Sequence, residues 1–192
     1  MARKYRLGRR GEAAEETRRR IVDATFALHA EQGVAATTMK HIAERADVSV
    51  GTVYHHFPTY DDAIQACGEY SLTVAPPPGP DLFAGARSRA ERIERLVQAC
   101  FERFERVPNY EAVRAERGKF APLRAFFAAE AQLMRELAAA ALGHGTDGAK
   151  TAILIALIEP GVWQALRQAG LSTAAAARQI AGVVNAWLDA RP

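Results

Sequence analysis

The chain has 192 residues, with 25 Lys and Arg against 22 Asp and Glu, for a net charge of +3 at neutral pH. A 49% hydrophobic and 24% charged composition excludes wholesale disorder and leaves chain enough for one or two cores. The longest uninterrupted apolar run, 152–158, falls short of the ~20 residues of a membrane helix. Cys67 and Cys100 lie too far apart to form a metal or redox spacing. The basic start has no apolar stretch behind it, so it reads as no secretory signal, and a reducing cytoplasmic setting is expected.

Charge is uneven along the chain. Residues 1–20 hold eight basic side chains (Arg3, Lys4, Arg6, Arg9, Arg10, Arg18, Arg19, Arg20) and three acids (Glu12, Glu15, Glu16), a local +5 that leaves −2 for the rest. Residues 1–14 show no apolar periodicity and are expected to form a flexible basic arm. Helical patterning starts near Glu15 and runs to Gln32, with Ile21, Val22, Phe26 and Leu28 as apolar positions and Gly33 as an αL stop. Two short helices follow over 38–46 and 49–57, where Thr38 and Ser49 are placed to cap the first turns. A helix over 59–74 ends at the proline-rich segment 76–80.

Further on, Ile93, Leu96, Val97, Cys100, Phe101, Phe104 and Val107 recur at helical spacing up to Pro108. A short segment carries Tyr110 and Val113. A longer helix over 122–142 carries Leu123, Phe126, Phe127, Met134 and Leu137. After a loop at 143–148, an apolar helix is expected over 149–169, kinked at Pro160. Gly170 closes it, Ser172 caps the last helix, and Ile180, Val183, Val184, Trp187 and Leu188 form its stripe. No segment alternates with period two. The fold class is all-α.

Residues 38–57 carry the clearest signal. Ile42, Ala46, Val48, Val53 and Phe57 have the spacing of two short helices packed across a tight turn, with Ala43 small where they approach. Asp47 stands at the turn, where a residue tolerating positive φ is needed. The second helix is then free to present Ser49, Val50, Gly51, Thr52, Tyr54, His55 and His56, groups suited to phosphate oxygens and base edges.

The stretch 18–70 resembles the DNA-binding domain of TetR-family transcriptional regulators. The likeness lies in Ile21-Val22-Asp23-Ala24, Gly33, Thr37-Thr38, Ile42-Ala43, Val48-Ser49, the run from Gly51 to Phe57, and Asp61-Asp62-Ala63-Ile64. Residues 158–163 and 169–172 also resemble the C-terminal part of some members. The resemblance implies an N-terminal three-helix helix-turn-helix domain (15–58) and a connecting helix (59–75). A C-terminal helical ligand-binding and dimerisation domain (76–192) follows. It further implies a repressor released from a palindromic operator by a small apolar or aromatic ligand, with an effector-independent or activating regulator as the alternative. On the family motif, Thr38 caps its helix beside a phosphate and Lys40 reaches phosphate or a guanine edge. Gly51 and Thr52 lie close to bases, and Tyr54 and His56 contact the backbone. Asp47 stands where the family usually has Gly, Val50 where Lys or Arg is common, and Tyr60 where a Lys typically grips phosphate. Such departures weaken anchoring by the helices, and Arg6, Arg9 and Arg10 of the arm are candidates to supply it.

Other features read more plainly. Residues 143–148 match GxGxxG but follow a helix and not a strand, so they form an interhelical loop and no cofactor site is expected. His55 and His56 are adjacent, and their side chains are expected on different sides of a helix; no metal set is formed. His29 reads as a packing histidine, and the cysteines as inert buried thiols. No nucleophile–base pair or paired carboxylates occurs, so no enzyme is expected. Phe101, Phe104, Tyr110, Phe120, Phe126, Phe127 and Trp163 are concentrated where the resemblance places a ligand cavity, with Phe104, Tyr110, Phe127 and Trp163 as candidate ligand contacts. The apolar surplus of the two C-terminal helices is suited to a self-complementary homodimer interface. A helical enzyme or interaction module bearing only the look of a helix-turn-helix is the reading from another class.

Overall fold

A computed structural model describes the backbone of residues 2–143 and 147–190 and the side chains of 11–143 and 147–190. The described residues contain helices and turns and no strand. They divide into two compact units: the chain up to Thr73 together with Ala112–Phe126, and Val74–Glu111 together with the chain from Phe127 onward.

In the first unit α1 (Ala2–Gln32) begins at Ala2, far before Glu15, so the backbone of residues 2–14, expected as part of a flexible arm, is helical. Ala, Arg, Lys, Leu and Glu dominate this stretch and are good helix formers, so apolar periodicity is not required for it to continue the helix. The side chains of Arg6, Arg9 and Arg10 lie outside the described residues. α1 stops where Gly33 takes φ +87°. α2 (Met39–Ala46), α3 (Val50–His56) and α4 (Tyr60–Val74) follow. The core of this unit collects Ile21, Val22, Leu28, Met39, Ile42, Ala46, Val53 and Phe57. α4 starts with a reciprocal cap: Thr59 N–H donates to Asp62 Oδ2 at 2.8 Å, and Asp62 N–H to Thr59 Oγ1 at 3.2 Å.

The second unit opens with a 3-10 turn, Pro80–Phe83, the one helical feature the prolines admit. α5 (Arg89–Arg106) packs along α10 (Thr173–Asp189), burying Ile93, Leu96, Val97 and Phe101 on one helix and Ala176, Ala177, Ile180, Ala181 and Val184 on the other. The alanines of α10 let the two backbones lie close. α6 (Tyr110–Ala115) and α7 (Ala121–Leu142) come next. Because Ala112–Phe126 belongs to the first unit, a C-terminal domain running unbroken from 76 is corrected to an interleaved one.

The single kinked helix expected over 149–169 is two helices, α8 (Gly148–Leu157) and α9 (Pro160–Gln168). Pro160 takes the first helical position, where its missing N–H costs nothing, and Glu159 adopts extended backbone before it. By length and composition 148–168 is apolar enough to cross a membrane, although no single uninterrupted run is; the break divides it.

Candidate nucleic-acid interface

α2 and α3 are short, and their ends are fixed by side chains the sequence supplies. Thr38 Oγ1 accepts the His41 N–H at 3.2 Å, and Ser49 Oγ accepts the Thr52 N–H at 3.0 Å. Between the helices Asp47 sits at φ 53°, ψ 54°, in the αL region. Its N–H donates to Glu44 O at 3.3 Å and that of Val48 to Ala43 O at 3.0 Å, the paired bonds of a Schellman end. The turn expected at Asp47 is therefore formed, with Asp standing in for Gly.

Inward, Ile42, Ala43, Ala46, Val53 and Phe57 are buried. Outward, Thr38, Lys40, Ser49, Val50, Gly51, Tyr54 and His55 are exposed, while Thr52 and His56 are half-buried. Nearly all the residues singled out for DNA on these two helices are thus at least partly exposed. Gly51 has open space around it: an added Cβ would meet only Ser49 Oγ, at 3.7 Å. Packing within the chain does not require a glycine there.

Positive charge near this face is largely engaged. Arg20 donates to the carbonyls of Ala46 and Asp47 at the end of α2. Arg45 holds Glu31 in a two-pronged pair at 2.8 and 2.6 Å, tying α2 to α1. Arg18 stacks over the Phe57 ring at 5.1 Å. Lys40 is exposed and loosely paired with Glu44 at 3.7 Å. α3 itself carries no Lys or Arg. Its cationic potential lies in His55 and His56, whose rings meet edge to face with centroids 5.4 Å apart, contrary to the expectation that they diverge. Burial, then the neighbouring His55 and Arg18, hold His56 below the ordinary histidine pKa, against an opposing pull from Glu15.

Tyr60 is not part of this face. Its hydroxyl donates to Val34 O at 2.6 Å and meets His29 Nε2 at 3.0 Å, and its ring packs edge-on against Phe120. The physical reason is competition: a phenol at this position finds a buried carbonyl, whereas a lysine ammonium would stay in solvent.

In the second unit the four candidate ligand contacts form a continuous row. Ring centroids run Trp163–Phe104 at 6.2 Å, Phe104–Tyr110 at 5.2 Å and Tyr110–Phe127 at 5.7 Å. Phe120 and Phe126, grouped with them in the sequence, belong to the first unit. Sequence reasoning missed the charges in the row. Arg103 and Glu130 are almost fully buried as an ion pair, and the Tyr110 hydroxyl donates to the same carboxylate. Arg103 also donates to Ala75 O at 3.0 Å and lies over the Tyr110 ring at 5.4 Å. The available signal was an arginine interrupting the apolar stripe between Phe101 and Phe104.

The comparisons with known proteins converge on this geometry. The family model for bacterial regulatory proteins of the tetR family matches residues 21–67. Over 48 residues the chain is 52% identical to the HTH-type transcriptional repressor KstR of Mycolicibacterium smegmatis, a match covering 25% of this chain and 24% of that protein. The aligned segment thus spans about a quarter of that curated relative. A TetR-like transcriptional regulator from Rhodococcus sp. RHA1 superposes with TM-score 0.73 at 18% identity, covering 91% of this chain and 97% of the other. The multidrug binding protein EbrR, solved with malachite green, superposes with TM-score 0.62 at 22% identity over 88% of this chain and 96% of its own. Residues 21–67 carry a TetR-family regulator domain, and the described residues share the fold of a TetR-like regulator.

The matched segment holds α2, α3 and the turn between them, and ends at Cys67 in α4. The two solved structures extend the likeness of fold over about nine-tenths of the chain. In this chain the tight turn uses Asp47, and Tyr60 at the start of α4 is turned inward onto Val34 O.

Proposed function

We propose that this protein is a DNA-binding repressor that acts as a homodimer on a palindromic operator and is released by a small apolar or aromatic ligand. The observation that carries the DNA reading is the α2–α3 face: exposed Thr38, Lys40, Ser49, Gly51 and Tyr54 over a buried Ile42, Ala46 and Val53. Hydroxyls, one ammonium and a bare Cα at the head of the second helix suit phosphates and base edges in a major groove. The named repressor KstR is 52% identical to this chain over 48 residues.

Dimerisation is supported by apolar surface on the C-terminal helices. Ile153 on α8 and Val183 and Trp187 on α10 are 40%, 54% and 37% exposed. A second copy would cover them, and a twofold axis makes that contact self-complementary. The same axis would place two α3 helices about one DNA turn, ~34–36 Å, or a multiple of it, apart.

Effector binding is supported by the row Trp163, Phe104, Tyr110, Phe127, with Arg103 and Glu130 as its polar end. Such a mix of many apolar walls and few convergent polar groups suits a flat organic ligand. Malachite green, bound by the structurally similar EbrR, is one ligand of that class. Release then follows from a ligand that prefers a conformation unable to engage both half-sites.

The test is a gel shift of purified protein on DNA flanking its own gene, with genomic footprinting. A sequence-selective shift, weakened by Lys40→Ala and by Tyr54→Phe, is expected. No selective shift, or indifference to both substitutions, overturns the reading.

A further inference from the structure

We infer that Val50 is a specificity-determining residue that reads the C5-methyl group of a thymine in the operator. The inference rests on the DNA-binding reading above and extends it to the chemistry of one base.

Val50 opens α3 and is 38% exposed. A branched apolar side chain left more than a third exposed at the first position of a seven-residue helix leaves apolar surface that its own chain does not cover. Tyr54, one turn further on and 50% exposed, makes α3 an element that turns two large apolar groups outward. The polar groups beside Val50 are already engaged with one another: Ser49 Oγ takes the Thr52 N–H at 3.0 Å and lies 2.8 Å from Thr52 Oγ1. No Lys or Arg stands on α3 to compete for the same place in the groove.

The partner's chemistry follows. In the major groove guanine, cytosine and adenine present only hydrogen-bonding edges at the positions a side chain reads, and thymine alone presents an apolar group, its C5-methyl. Valine cannot donate or accept, so a guanine or adenine edge opposite it would lose water without gaining a bond. Valine's two methyl groups are also stiff about χ1, which fixes where the contact is made. Gly51 beside it carries no side chain to hold the helix away.

The experiment needs the operator first, obtained by selection from random duplexes at fixed salt. Each thymine of the selected half-site is then replaced in turn by uracil, which deletes only the methyl and keeps the pairing edges. For the wild type, uracil at one thymine position is expected to lower affinity about 4-fold per methyl removed, the size of one buried CH2. In Val50→Ala the same replacement changes affinity by less than half as much, because the partner methyls are gone. Val50→Thr, which keeps the β-branch and replaces one methyl by a hydroxyl, falls between them. If the wild type selects no sequence, the DNA reading fails and this inference with it. If it selects an operator yet uracil affects wild type and Val50→Ala alike at every thymine, only the Val50 inference is overturned. Circular dichroism on both variants separates a folding defect from a lost contact.

Discussion

The carboxylate of Glu116 accepts the N–H of Ala35 at 2.8 Å, joining positions 81 residues apart in the chain. It sits against Gly33, where an added Cβ would lie 3.5 Å from Oε2, and pairs with Lys119 at 3.2 Å. Burial would raise its pKa, but the amides of Ala35 and Val34 and the Lys119 ammonium together hold it below the usual carboxylate range. The loop so gripped is the one that delivers Thr38 to the head of α2.

Removing that grip leaves two amide groups to find water or strain. Glu116→Ala is expected to destabilise the first unit by about 1–3 kcal/mol, the cost of stranding charge-assisted hydrogen bonds. Glu116→Gln, which keeps an acceptor, should lose less. Urea unfolding followed by circular dichroism checks both, and an Ala variant as stable as wild type would sink the assignment.

His29 gives the protein an acid-sensitive core. Tyr60 has one hydroxyl proton, which it gives to Val34 O at 2.6 Å, so its oxygen accepts from His29 Nε2–H at 3.0 Å. His29 Nδ1 then faces the Cys67 thiol at 3.4 Å as an acceptor. Every group in this chain is satisfied only when the imidazole is neutral. Burial, only weakly opposed by Glu116, lowers its pKa from the ordinary 6.5 to about 4. Between those values the unfolded chain binds more protons than the folded one, so stability is full above about pH 6.5 and falls as pH drops toward 4. The loss across that window is on the order of 3 kcal/mol. Thermal melts from pH 7.5 to 4.5 should show it, and His29→Gln should flatten the slope while lowering stability at neutral pH.

Proton uptake is also expected on binding DNA. α3 lacks Lys and Arg, and the groups near its C-terminal histidines are Arg18 and Glu15 of α1. With His56 held below its ordinary pKa by burial, His55 and Arg18, it is neutral in the free protein at pH 7.5. A phosphate nearby favours the charged form of His56. Affinity should therefore rise as pH falls from 8 to 6, by about 3–10-fold for one proton taken up. His56→Gln should remove that dependence; a pH-independent wild type would count against contact of His56 with the backbone.

Much of this was legible because local rules decided it. Thr38, Ser49 and Ser172 cap the helices their spacing assigned, and Asp47 takes the αL turn. What escaped depends on distance in the chain or on competition. Glu116 and Ala35 are unrelated by any period, and neither are Arg103 and Glu130. Tyr60 had two possible partners, phosphate or Val34 O, and only the fold shows the carbonyl within reach. The early start of α1 was hidden because charged helix formers carry no apolar stripe to read. The aromatic row was visible as composition, but its division between units was not.

Gly51 separates stability from function most sharply. A glycine inside a helix costs about 1 kcal/mol relative to alanine, through backbone entropy. Here nothing among the described residues demands it, since an added Cβ would find its nearest heavy atom, Ser49 Oγ, at ordinary contact distance, 3.7 Å. Gly51→Ala is therefore expected to raise stability by about 0.5–1 kcal/mol, somewhat less if fraying at this short helix's first turn already relieves the cost. The same methyl would stand between the head of α3 and the groove it enters, so operator affinity should drop by tenfold or more, about 1.4 kcal/mol. Measured side by side, a melt shifted up and a binding isotherm shifted toward weaker affinity would mean that the bare Cα is kept for the DNA. A variant that is more stable and binds as tightly would show that α3 does not approach DNA through Gly51.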